Sequence, residues 1–170
     1  KRGLSATGLD NYLSCPWKFF YRNLLSFPDA KNKNQIYGTL MHLVMNRLIS
    51  VKGKGERGKE EMMGLFRDLV MKSPLPENEK KELLKKGQNS IPKIIDELIP
   101  IWHDKSLIGE MSIKGVKLDD GTILNGRLDM IETINGGSDV IVHDFKTGKS
   151  KSRNNIAGLT ASSDGNRSEE

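Results

Sequence analysis

Hydrophobic positions in the first third of the chain recur near helical spacing. Ser5 is suited to cap a helix over "ATGLDNYL", and Pro16 is suited to the first position of the helix that follows. The apolar side chains of that second segment are expected to be buried. They are Trp17, Phe20, Leu24 and Phe27.

The middle of the chain continues this pattern. The segment "YGTLMHLVMNRLI" has apolar residues at positions 37, 40, 41, 44, 45 and 48, which predicts an amphipathic helix. The segment "KGKGERGK" is interpreted as a flexible basic linker. Further helices are predicted over 59–72 and over 76–104, the second broken or bent near Pro92.

After Gly109 the period of the pattern changes to two, which is typical of β-strands. Strands are predicted at "EMSIKGVKL", "TILNGRLDMIETI" and "DVIVHDFKT", with hairpin turns at "DDGT" and "NGGS". The predicted fold is α/β of the α+β type, with a helical part over 1–104 and a three-stranded antiparallel meander over 109–147. The polar residues after Gly148, including 151–170, are expected to form a loop or to be disordered.

Two of these strands carry aspartates where apolar side chains are usual. If "NGGS" closes a symmetric hairpin, Asp129 lies opposite Asp144, and Lys146 shares their face because side chains at i and i+2 do so. With the "DG" of "DDGT" as a two-residue turn, Glu110 lies opposite Ile131, on the same face and diagonal to Asp129. Opposed like charges about 4.5–5.5 Å apart repel. The pattern therefore predicts either a solvated sheet face or a site for a hard cation, Mg²⁺ or Mn²⁺.

Composition and charge limit the classes of protein to which the chain can belong. The chain has 170 residues, and no apolar run approaches the roughly 18 residues of a membrane span, so no membrane association is expected. Its one cysteine, Cys15, excludes an internal disulfide and indicates a reducing compartment, hence a cytoplasmic location. Residues 1–59 carry 11 Lys/Arg and 3 Asp/Glu. This basic balance suits either a solvated surface or a protein that binds the phosphate backbone of DNA.

Four fragments in order resemble the PD-(D/E)XK nuclease superfamily, and within it the RecB/AddAB-type exonucleases. They are "LSATGLDNYLSCPWKFFYRNLL", "YGTLMHLVMNRL", "GRLDMIE" and "VIVHDFKTGK". The resemblance implies a restriction-endonuclease-like nuclease domain over residues 1–150 that hydrolyses DNA. Family members continue into a Gln-x-x-x-Tyr helix, so this sequence is expected to be a C-terminally truncated fragment that is weak or inactive in isolation.

The resemblance also implies roles for individual residues. The implied ligands of Mg²⁺ or Mn²⁺ are His42, Asp129, Asp144 and the Phe145 backbone carbonyl. The implied catalytic residues are Lys146, Asp144, Asp129 and Glu110. Cys15 occupies the first position of the 4Fe–4S ligand set of many members. Since the sequence has no second cysteine, such a cluster is expected only in a longer chain.

The main hypothesis is a metal-dependent DNA exonuclease domain of a recombination or repair nuclease, joined to a helicase domain or subunit. A CRISPR-associated RecB-type nuclease would share these residues. A catalytically silent DNA-binding module of the same fold is the alternative from another class. The "TGKS" sequence is not a nucleotide-binding P-loop, because position 143 is histidine where that loop requires glycine.

Overall fold

The computed structural model describes residues 3–51, 55–148 and 152–156. Its helices are α1 (Ala6–Ser14), α2 (Pro16–Phe19) with a π-helical turn (Phe20–Leu24), α3 (Lys33–Val51), α4 (Gly55–Lys72), α5 (Glu77–Trp102) and α6 (Arg153–Ile156). Its strands are β1 (Leu4–Ser5), β2 (Ser106–Lys117), β3 (Ile123–Ile134) and β4 (Asp139–His143). Within these ranges, no helix is both long and apolar enough to cross a membrane.

The N-terminal helices begin where the sequence predicts. The Ser5 hydroxyl accepts a hydrogen bond from the Gly8 N–H at 3.0 Å, and Pro16 is the first residue of α2. The predicted burial of the four apolar side chains of this region is wrong. These exposed side chains are Trp17, Phe20, Leu24 and Phe27. The main core does not include them, and α2 packs on α1 and on the π-helical turn instead.

The core is built around α3, which packs against α4 and the sheet. The predicted apolar stripe is confirmed, since every member is buried: Tyr37, Leu40, Met41, Val44, Met45 and Leu48. Phe66 of α4, Ile91 of α5 and Met130 of β3 complete this core. One side of α3 is thereby held against helices while another lies near β2 and β3.

Two helix boundaries differ from prediction. Helix α4 begins at Gly55, so much of the predicted basic linker is helical, and residues 52–54 lie outside the described residues. The contact of the Arg47 Nε with Glu61 at 2.8 Å ties α4 to α3 and offsets the low helix propensity of glycine. Helix α5 is continuous through Pro92 rather than broken there.

In the described part of the chain the sheet has four strands rather than the predicted three, and it is mixed rather than purely antiparallel. The meander of β2, β3 and β4 is confirmed, with β3 in the middle. The additional strand β1 pairs in parallel with β3, Leu4 opposite Leu124. A two-residue strand gives no alternating pattern, so the sequence could not reveal it. In the predicted tail, Arg153–Ile156 form one helical turn, and residues 157–170 lie outside the described residues.

The register of the β3–β4 hairpin is as predicted, with Ile131 opposite Val142. Strand β4 ends at His143, however, so the predicted strand through Thr147 is too long and the predicted strand pair of Asp129 with Asp144 is not formed. The register of the β2–β3 hairpin is not, because Ile108 rather than Glu110 lies opposite Ile131. Its loop contains three residues, 119–121, because the Leu118 N–H donates a hydrogen bond to the Thr122 carbonyl at 2.8 Å. A bulge between Ile113 and Val116 adds a second shift. The two one-residue shifts add up to two residues, so each side chain stays on its predicted face of the sheet. Glu110 therefore lies level with Asp129, between two observed pairs, instead of diagonal to it.

A buried carboxylate fastens the end of the helical part to the sheet. Glu132 of β3 is buried, and its side chain accepts hydrogen bonds from Lys105 at 3.0 Å and contacts His143 at 3.1 Å. The hydrogen bond from Lys105 lowers the pKa of Glu132, and His143 adds to this effect, while burial opposes it. Lys105 lies between α5 and β2, so the cluster joins three segments.

Replacing Gly87 with alanine should destabilise the protein by about 1–3 kcal/mol. A Cβ at this position of α5 would lie 2.2 Å from a ring carbon of Phe66, which the core leaves little room to move. Urea unfolding measures the change. The matched control is Gly64→Ala in α4, where a Cβ meets nothing within 4 Å and should stabilise the helix by roughly 0.5–1 kcal/mol. Equal effects would show that Phe66 moves aside freely.

Glu132→Gln should lower the melting temperature near neutral pH but hardly at all in acid. A carboxylate whose pKa is lowered on folding stabilises the protein above its ordinary value of 4.5, and the contribution is lost as the pH falls through the folded-state pKa. Melts of both proteins across this range measure the effect. Exposed Glu97→Gln is the control. A constant difference at every pH would contradict the prediction.

Candidate active site

A cavity of about 350 Å³ lies between α3 and the middle of strands β2 and β3. Side chains from α3 line one wall, and acidic and basic side chains from the two strands line the other. The polar lining residues are Lys31, Thr39, His42, Asn46, Glu110, Arg127 and Asp129, with Phe145 beside them. Charged groups of both signs thus meet in one cleft next to the core.

Asp129 is held from two directions. Its Oδ1 lies 3.1 Å from the His42 Nδ1, and its Oδ2 accepts a hydrogen bond from the Phe145 N–H at 2.8 Å. His42 follows the buried Met41 on α3, at the edge of the apolar stripe nearest to β3. The Asp129 side chain is 17% exposed. Helix α3, strand β3 and the segment after β4 therefore meet at one carboxylate.

Phe145 anchors the Asp-Phe-Lys segment to the core. Its ring contacts the rings of His42 and Trp102, each with centroids 6.2 Å apart. A Cβ at Gly38, one turn before His42 on α3, would lie 3.1 Å from the Thr147 hydroxyl, so glycine lets this segment approach closely. Because Phe145 points inward, the residues on either side of it project towards solvent.

The outward pair is Asp144 and Lys146. The Lys146 Nζ lies 2.8 Å and 3.0 Å from the two Asp144 oxygens, with the side chains 60% and 78% exposed. On the strands, Glu110 forms an ion pair with Arg127. The carboxylates of Asp129, Asp144 and Glu110 therefore each have their own donor. Within the described ranges, no three His, Cys, Asp or Glu side chains form a group able to hold a metal ion.

The chemistry of the donors nevertheless suits a hard divalent cation. Carboxylate oxygens are the ligands that such ions prefer, whereas the imidazole nitrogen of His42 is a ligand type more common with transition metals. His42 and Asp129 are in contact as they stand. The exposed Asp144 would join them only after its side chain turns from Lys146. At Phe145 the N–H is the group that contacts Asp129, so the carbonyl stays a predicted ligand.

Comparison with known families agrees with this arrangement. A sequence model of the PD-(D/E)XK nuclease superfamily matches residues 3–161. The chain belongs to this superfamily. Its members generally use divalent metal ions, and membership indicates nuclease activity. No curated protein matches the chain. The α+β fold, with helices before a mixed sheet, agrees with the restriction-endonuclease-like core of the family.

Sequence reasoning missed four polar residues of the cavity, which are Lys31, Thr39, Asn46 and Arg127. Asn46 lies one helical turn after His42, and Arg127 lies two residues before Asp129 on β3, so spacing could have found both. Lys31 precedes α3 and carries no comparable signal. Cys15, predicted as a possible 4Fe–4S ligand, is a free, half-buried thiol between α1 and α2.

Mn²⁺ should raise the melting temperature of this PD-(D/E)XK domain, and Asp129→Asn should lose most of the shift. An ion that binds only the folded state stabilises it by mass action, about 2.7 kcal/mol at a hundredfold excess over Kd. Thermal melts with and without Mn²⁺ measure the effect. Asp96→Asn, which removes an α5 carboxylate paired with Lys59, is the control and should keep the full shift. Equal shifts in all three proteins would place the ion elsewhere.

Proposed function

We propose that this chain is a metal-dependent deoxyribonuclease that hydrolyses phosphodiester bonds as the exonuclease domain of a recombination or repair nuclease. It would act in the cytoplasm with a helicase domain or subunit of the RecB/AddAB type. The observation that carries this proposal is the Asp129 carboxylate, held by His42 and Phe145 at the wall of a charged cavity. Membership of the superfamily supports the reaction class.

His42, Asp129 and Asp144 would hold the cation, Mg²⁺ or Mn²⁺. A bound divalent cation of this kind neutralises charge on a phosphoryl group and lowers the pKa of water. His42 would contribute an imidazole ligand, and its Nδ1 contacts and orients Asp129. The Phe145 N–H fixes the other oxygen, so the carboxylate cannot rotate freely. Both contacts lower the entropy that the side chain would lose when it binds the ion.

Lys146 would act on the reacting phosphate. Its amine already lies within 3.0 Å of Asp144, so a phosphate held beside that carboxylate would be within its reach. From there the ammonium group orients the attacking water and stabilises the negative charge that develops. Glu110 would assist from β2, where it also fixes Arg127.

The DNA backbone would be bound by basic groups around the cavity. Lys31 and Arg127 line it, and residues 1–59 carry a net charge of +8 from 11 basic and 3 acidic residues. Such contacts release counterions, so binding should weaken as salt rises.

A catalytically silent DNA-binding module is the second candidate. It is favoured by the exposed ion pair of Asp144 with Lys146, which keeps both groups from the Asp129 carboxylate. A CRISPR-associated RecB-type nuclease would share the cavity and its chemistry. A cleavage assay separates the silent module from both nucleases.

In the full-length protein, Lys146→Ala should reduce DNA cleavage at least a hundredfold while changing DNA affinity less than about twofold. A fixed charge at the transition state contributes on the order of 3 kcal/mol, whereas one of 27 basic residues adds little to binding. Single-turnover cleavage and fluorescence anisotropy measure the two effects. Asp129→Ala should also stop cleavage, with partial recovery at high Mn²⁺ that Lys146→Ala does not show.

The control is Lys117→Ala, which removes an exposed lysine at the end of β2. It should leave both cleavage and affinity unchanged. Full cleavage by Lys146→Ala would show that Lys146 is a surface lysine with no role in catalysis. Absence of cleavage by the full-length wild-type protein with DNA binding intact would support the silent module instead.

A further inference from the structure

Four aromatic rings form an exposed surface at the N-terminal helices, here called the aromatic surface. Its members are Trp17, Phe20, Tyr21 and Phe27, which are 67%, 37%, 49% and 61% exposed. Large aromatic side chains normally contribute to a core or an interface. The core described above uses none of these four. Neither the fold nor the proposed catalytic site accounts for their exposure.

The rings hold one another in place. Trp17 and Tyr21 are stacked, with centroids 6.2 Å apart, and Phe20 meets both edge-on at 6.0 Å and 5.4 Å. Phe27 extends the row, 5.9 Å from Tyr21. A hydrogen bond from the Phe27 N–H to the Tyr21 carbonyl at 2.9 Å fixes the turn between them. The result is a preformed row of rings rather than a set of loose side chains.

The charge around the rings favours a polyanion. Lys18 and Arg22 are interleaved with them, and the sequence contains no acidic residue between Asp10 and Asp29. Arg22 pairs with Asp29 at 2.6 Å, which orders the segment after Phe27. Rings alternating with cations are the pattern of proteins that bind single-stranded nucleic acid, because each base has a face that can stack.

The aromatic surface lies a short distance from the cavity along the chain. Phe27 precedes Lys31 by four residues, and Lys31 lines the cavity. Four residues span at most about 14 Å. A strand whose bases rest on the rings would therefore reach the Asp129 site within a few nucleotides. Duplex DNA keeps its bases stacked inside the helix, so the rings select single strands.

We propose that the aromatic surface binds single-stranded nucleic acid by stacking its bases and leads the strand past Lys31 to the cavity. The second half of this statement rests on the proposed nuclease function, while the binding does not require cleavage. The substrate class that follows is a single-stranded end or an unwound strand. A protein partner or a second copy of this chain on the same rings is the competing explanation.

Tryptophan fluorescence tests the binding directly. The chain has two tryptophans, and Trp102 is 3% exposed, so quenching by a bound strand reports on Trp17. Titration of an oligothymidine into the protein in EDTA should quench the emission of Trp17. By anisotropy, Trp17→Leu should bind the same strand roughly five- to a hundredfold more weakly. Trp17→Phe should keep most of the affinity and lose the quenching.

An abasic strand of equal length separates stacking from phosphate binding, and it should bind the wild-type protein much more weakly than oligothymidine. Ile101→Ala removes an exposed apolar side chain of α5 and should change nothing. Equal binding of both strands, or undiminished binding by Trp17→Leu, would overturn the proposal. So would a wild-type dimer that Trp17→Leu converts to a monomer without changing DNA affinity.

These measurements are independent of the nuclease assignment. Binding is recorded in EDTA, where no divalent cation supports cleavage. If Lys146→Ala cleaves like the wild-type protein while Trp17→Leu loses affinity, the catalytic proposal fails and the stacking surface stands. If Lys146→Ala is inactive while Trp17→Leu binds normally, the stacking surface fails and the catalytic proposal stands.

Discussion

The candidate site depends on the clamped carboxylate of Asp129. One oxygen contacts His42 of α3, and the other accepts the Phe145 N–H from the segment that follows β4. Three parts of the chain that are distant in sequence are joined there by two short contacts. A largely buried carboxylate is costly unless it is hydrogen-bonded, so these partners stabilise the fold at the candidate site.

The packing of Phe145 explains why the neighbouring residues behave differently. Its ring lies against His42 and Trp102. Because side chains alternate in direction along an extended segment, Asp144 and Lys146 then both point outward. A charged pair on a stiff support can exchange partners without disturbing the core. The same arrangement thus combines a packed core around Phe145 with an exposed charged pair at Asp144 and Lys146.

Carboxylates that lie close together on the sheet around the cavity are each paired with a nearby donor. Glu110 lies level with Asp129 across β2 and β3, yet it pairs with Arg127 rather than sharing a cation with Asp129. On another part of β3, Glu132 is neutralised in the same way by Lys105 and His143. Each buried or opposed carboxylate on this strand has a local donor, which lets a polar strand occupy the centre of the sheet.

Local pattern determined the helices of the core, the hairpin of β3 with β4, and the residue types that could hold a divalent cation. Periodicity and turn residues act over a few positions, so Tyr37 to Leu48 and the pairing of Ile131 with Val142 followed from them. Tertiary structure decided the rest. A β2–β3 loop longer than predicted and a bulge in β2 shifted Glu110 by two residues relative to β3. The packing of the N-terminal helices left Trp17 exposed. Neither a two-residue register shift that preserves side-chain faces nor the exposure of Trp17 to solvent leaves a trace in the sequence pattern.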